Sequence, residues 1–96
     1  MDHVAFETTK QLLNQSGFII DEARFDHESF GSWFIYVGSN PRLRIVWDGK
    51  DGWLIIQRET SKIFNGLRIW EDLWVGRELC EQNPEIAADK VKGFAK

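Results

Sequence analysis

Two short apolar runs, RLRIVW at 42–47 and WLIIQR at 53–58, flank the polar, glycine-bearing segment DGKDG at 48–52. β-Branched and aromatic residues favour a pleated, half-buried backbone, whereas Asp and Gly favour reversal, so the pattern predicts a β-hairpin. Gly49 and Gly52 can supply the positive φ angles of its turn. Upstream, Val4, Ala5, Phe6, Leu12 and Leu13 fall on one broad helical face, with Asp2 as a cap and Ser16-Gly17 as a stop, which predicts a helix over 3–15. A first strand is expected from Phe18 to Phe25, then a turn at Asp26-His27-Glu28-Ser29, and a second strand over 30–37. Gly38-Ser39-Asn40-Pro41 turns the chain into the hairpin. Strands joined by such short connections leave no room for crossover helices and must form an antiparallel meander.

Past the hairpin the periodicity is mixed. Residues 59–62 read as a loop and Asn65-Gly66 as a further turn. Leu67, Trp70 and Trp74 stand at i, i+3 and i+7, and Ile69 and Leu73 at i and i+4, which favours a helix; Leu73-Trp74-Val75 before Gly76 also suits a short fifth strand. The last element is clearer, with Asn83 as N-cap, Pro84 at the first helical position, Glu85 near the positive dipole end, and Ala87, Val91 and Phe94 on one stripe. The expected fold is α+β: a four-stranded antiparallel meander, with a fifth short strand as the alternative, an N-terminal helix, and one or two C-terminal helices on one face.

Composition narrows the class. Ninety-six residues form one domain, 1–96, with one core, and 43% apolar with 28% charged residues suits a globular chain. Aromatic residues make up 14%, including five Trp, so a few large side chains dominate the packing. A net charge of −3 gives no basic field, and nucleic acid is not an expected partner. No apolar run approaches the ~20 residues of a membrane span, and the first residues lack a signal-peptide pattern, so neither a membrane nor export is expected and the cytoplasm is. The single cysteine, Cys80, cannot form an internal disulfide and is expected to be a buried, inert thiol.

Catalytic chemistry finds little support. Consecutive residues Asp26-His27-Glu28 on an extended chain point in opposite directions and cannot converge on one ion, and the two His and one Cys lack metal-ligand spacing. The segment at 48–52 lacks the alternating oxygen ligands of a calcium loop, and no glycine pattern cradles phosphate. No metal or other cofactor is expected.

Large apolar groups on both faces of the hairpin are the remaining signal. If paired residue numbers sum to 100 or 102, Leu43, Ile45, Trp47, Trp53 and Ile55 share a core face, and Arg42, Arg44, Val46, Leu54, Ile56 and Arg58 share the other. A four-residue loop would shift the pairing by one and send Arg58 to the face opposite Arg42 and Arg44. Mixed aliphatics and guanidiniums suit protein recognition and an ordinary solvent face alike. The expected function is a non-enzymatic protein-binding module using Arg42, Arg44 and Arg58 or the Trp-bearing segment with Trp70 and Trp74. Its partner is a protein, and a homodimer stays open. The alternative is a small-ligand domain, with or without enzymatic activity, whose aromatic pocket lies between sheet and helices. The build is similar in kind to small bacterial adaptor, chaperone-like and toxin-neutralising immunity proteins, a likeness of architecture that carries no residue across.

Overall fold

A computed structural model describes residues 3–95 of the chain. The proposed cap Asp2 lies outside them. Helix α1 (His3–Gln15) is followed by five strands, β1 (Ile20–Asp26), β2 (Ser32–Val37), β3 (Leu43–Trp47), β4 (Leu54–Phe64) and β5 (Leu67–Gly76), and by helix α2 (Pro84–Phe94). The strands form one antiparallel sheet in chain order. The fold is therefore α+β, as the sequence pattern predicts, with five strands.

Each helix presents a narrow stripe. In α1, Phe6, Thr9 and Leu13 are buried at i, i+3 and i+7, and the Thr9 hydroxyl donates to the Ala5 carbonyl at 2.8 Å, so its burial leaves no unpaired donor. In α2 the stripe is Ala87, Ala88 and Val91, small groups that let the helix lie close to the sheet. Asn83 Oδ1 accepts from the Ile86 N–H at 2.8 Å, the expected cap, with Pro84 at the start of the helix. Both helices cover one sheet face, sealing Ile35, Val37, Leu43, Ile45, Trp47, Leu54 and Ile56 beneath them.

The hairpin register decides which residues those are. Trp47 pairs with Leu54 and Ile45 with Ile56, and Asp48 N–H donates to Trp53 O at 2.8 Å, leaving a four-residue loop at 49–52. Leu54 and Ile56 therefore join the core, whereas Ile55 packs on the opposite face and Trp53 is only half-buried, with the Arg77 guanidinium 4.7 Å from its ring. The expected core set with Trp53 and Ile55 is corrected by this one-residue shift. Gly52 takes φ 73° as its turn requires. Gly49 serves close approach instead: its N–H donates to Ser32 Oγ at 2.9 Å, and a Cβ there would overlap the Phe30 carbonyl oxygen.

The segment from 59 to 76 is strand, not loop and helix. Asn65 (φ 52°) and Gly66 (φ 78°) make a two-residue turn with positive φ at both positions, the geometry that matches strand twist. β4 and β5 continue through it and run past the other strands as a two-stranded arm, in which 61–69 are all exposed. Register shifts between Ile56/Gln57 and Glu59/Ile63 break the alternation. Trp70 and Trp74 thereby reach opposite faces, and the helix-like spacing is a by-product of the shifted register. Cys80 sits exposed in a short 3₁₀ turn (Leu79–Glu81), contrary to its expected burial. No helix among the described residues is long and apolar enough to cross a membrane.

Candidate functional site

The sheet face away from the helices carries a second apolar cluster, Phe34, Tyr36 and Val46, flanked by Ile55 and Trp70. Phe34, Tyr36 and Val46 are only 9, 6 and 8% exposed although no helix among the described residues covers them. Arginines roof them instead. The Arg24 guanidinium lies 4.5 Å from the Phe34 ring centre, Arg42 lies 4.8 Å from Tyr36, and Arg44 lies 4.3 Å from Trp70. Long side chains can cover apolar surface while keeping a charged end near water, and a planar guanidinium stacks on a ring.

The three arginines differ in how their charge is met. Arg24 donates from Nε to Glu22 at 3.0 Å and from Nη1 to Asp26 at 2.9 Å. Burial opposes its charge, but hydrogen bonds to Glu22, Tyr36 and Asp26 outweigh that and hold it above the ordinary arginine value. Arg42 donates from Nε to Asp21 at 2.9 Å and has Glu59 at 3.6 Å. Arg44 is half-buried and donates from Nε to Gln57 Oε1 at 2.5 Å and from Nη1 to Tyr36 Oη at 3.4 Å. Among the described residues no carboxylate lies within ion-pair distance of it. Asp72 is reached only through the Gln57 amide, which donates to it at 2.7 Å. Desolvation lowers the Arg44 pKa, and the Arg24 charge, which shares the Tyr36 hydroxyl at 3.1 Å, lowers it further.

Of the residues expected at a site, Arg42, Arg44 and Trp70 come together here. Arg58 and Trp74 do not. Arg58 pairs across the sheet with Leu43, on the helix side, and binds Glu71 at 2.8 Å, the outcome expected of a four-residue loop. Trp74 packs against the core below α2, with Lys90 4.8 Å from its ring. Sequence reasoning missed Arg24, Phe34, Tyr36 and Gln57. The alternation of Glu22, Arg24 and Asp26 with Ala23 and Phe25 was the available signal, since it places Arg24 across from Phe34 once the first two strands are paired.

A separate cavity of about 400 Å³ opens at the loop end of the sheet between Phe25, Phe30, Trp33, Trp47, Asp48 and Gln82. Two of its polar side chains are already engaged: Asp48 Oδ1 accepts from Lys50 N–H at 2.9 Å, and the Gln82 amide donates to the Gly52 carbonyl. The Trp47 indole N–H is buried without a hydrogen-bond partner among the described residues. Those residues also contain no group of three His, Cys, Asp or Glu side chains that could hold a metal ion.

Fold and site together define a small α+β domain with one helix-covered sheet face and one arginine-roofed face. In comparisons with protein-family models, curated proteins and solved structures, nothing matches the chain.

Proposed function

We propose that this chain is a small non-enzymatic protein-binding domain, acting in the cytoplasm as an adaptor, chaperone-like factor or inhibitor, whose arginine-roofed sheet face receives an acidic segment of another protein. The observation that carries this reading is Arg44, a half-buried cation that stacks on Trp70, shares a hydroxyl with a second cation and has no carboxylate of its own among the described residues. Desolvated cations are costly unless paired, and a partner carboxylate would complete the set. Trp70 beside it offers the aromatic anchor typical of an interface centre. The aromatic cavity supports the small-ligand alternative less well, because Asp48 and Gln82 already have partners within the chain, which leaves the buried Trp47 indole N–H as the unmet side-chain donor there among the described residues.

Affinity capture with the native cell lysate, followed by mass spectrometry, tests the reading. Wild-type chain should retain an acidic protein, and Arg44→Glu or Trp70→Ala should weaken that capture by about 30-fold or more, in line with breaking a buried charge pair. Arg58→Glu, on the other face, should retain it. Full retention of every partner by a correctly folded Arg44→Glu variant would exclude this face as the site.

A further inference from the structure

β5 is the last strand of the sheet, with β4 on one side and, among the described residues, an unpaired edge on the other. Thr60 Oγ1 donates to the Ile69 carbonyl at 2.8 Å, so that carbonyl points towards β4. By the alternation of a strand, the backbone groups of Arg68, Trp70 and Asp72 then face the free edge. A long open edge is a template for another strand, and native sheets usually cover or blunt one.

From this edge we infer that the chain forms a two-fold symmetric homodimer in which the β5 strands of two copies pair antiparallel about Trp70, joining two sheets into one of ten strands. The edge is complementary to itself in this register. Arg68 falls opposite Asp72 of the second copy, and Asp72 opposite its Arg68, giving two cross-strand ion pairs of opposite sign. Arg68 is exposed and available for such a partner: it donates to the Ser61 carbonyl at 3.3 Å, and no carboxylate lies within ion-pair distance of it among the described residues. Of the neighbouring registers that keep the same backbone groups facing, centring on Glu71 sets two like charges against each other, and centring on Ile69 pairs no opposite charges.

The same register gives the exposed arm a place to go. Phe64 and Leu67, 68 and 72% exposed, pair across the arm on the helix side of the sheet by the alternation from Arg58 and Glu71. A two-fold axis perpendicular to the sheet keeps the helix sides of both copies together. Gly66 at the arm tip then lies opposite Trp74 of the second copy, which brings Phe64 and Leu67 towards that copy's α2. There a cavity of about 420 Å³ is lined by Ile86, Asp89, Lys90, Gly93 and Phe94. An apolar tip and an apolar-walled recess thus meet twice, once on each side of the axis.

This pairing goes beyond the proposed acidic partner, because it is made by the backbone of the β5 edge, although Trp70 and Asp72 also stand beside Arg44 and its Gln57. Sedimentation equilibrium of the full chain is the test. Wild type should show the mass of two chains at roughly 100 µM, the range of a modest interface. Arg68→Asp and Asp72→Arg should each raise the dissociation constant at least about tenfold, and the combined swap should restore it. Leu67→Asp, at an exposed position whose loss leaves the core intact, should also give single chains, and it decides the matter if a charge variant fails to fold by circular dichroism. Arg44→Met should keep the two-chain mass, so failure of the acidic-partner reading stays distinguishable. A wild-type chain that remains single at roughly millimolar concentration would overturn the dimer. So would a dimer that Leu67→Asp and both single charge swaps leave unchanged.

Discussion

Arg44 and Arg42 are two residues apart on one strand face and stack over the same aromatic cluster, yet their removal should have opposite consequences. Arg42 binds Asp21 and lies beside Glu59, whereas Arg44 holds a desolvated charge without a carboxylate among the described residues. Replacing a buried charge by an apolar group of similar volume is often neutral or stabilising. Arg44→Met is therefore expected to unfold at an unchanged or higher temperature and to lose partner capture, whereas Arg42→Met should be destabilised by up to about 1 kcal/mol, the scale of a partly exposed pair. The two Trp residues flanking the hairpin loop separate in the same way. Trp47 is 3% exposed within the core and Trp53 is half-buried beside Arg77. Urea denaturation should show a loss of about 3–5 kcal/mol for Trp47→Ala and a loss nearer 1 kcal/mol for Trp53→Ala.

At the level of elements, the turns carry the conformational information. Asp26 closes β1 and caps the following 3₁₀ turn (His27–Ser29): it accepts from the Ser29 hydroxyl at 3.0 Å, from Arg24 at 2.9 Å and from the Glu28 N–H at 3.0 Å. The Ser29 hydrogen bond first, with Arg24 and the backbone donors after it, holds the carboxyl below its ordinary value of 3.8. A lowered folded-state pKa contributes stability that is present above the unfolded value and lost as pH falls through the folded one. The stability gap between wild type and Asp26→Asn should accordingly be largest above the ordinary carboxylate range and shrink as the solution is acidified below it, read from urea midpoints against pH. In the arm, Gly66 has φ 78°, and a Cβ added there would meet nothing within 4 Å, so the cost of Gly66→Ala is conformational alone. A loss of about 1–2 kcal/mol is expected in thermal unfolding.

For the whole molecule, the division into two sheet faces sets how binding should respond to salt. The chain is acidic overall, with a net charge of −3, so the arginine face is a local positive feature on a negative body. Long-range steering towards an acidic partner is therefore weak, while a carboxylate seated on the half-buried Arg44 is shielded from screening. Raising salt from roughly 0.05 to 0.5 M should slow association modestly and leave most of the captured partner bound; complete elution would mean that the contact is made by exposed charges alone.

The sequence by itself determined the N-terminal helix to its last residue, the capped C-terminal helix, the first three strands, the first half of the fourth and their meander. In each of these a local cause, a cap, a glycine stop, a β-branched run or a short turn, agrees with the tertiary environment. Only the tertiary structure decided three further matters. One was β5, because strand shifts beside Gln57 and beyond Glu59 break the two-residue period that would have marked it. Another was which hairpin residues form the core, because a side chain's face reverses with a single step of register and the loop length sets that step. The third was the arginine cluster, whose members come from β1, the residue preceding β3, and β3 itself. Their convergence on Tyr36 depends on the pairing of β2 with β1 on one side and β3 on the other, which joins residues up to 12 apart in the chain and which no local pattern encodes.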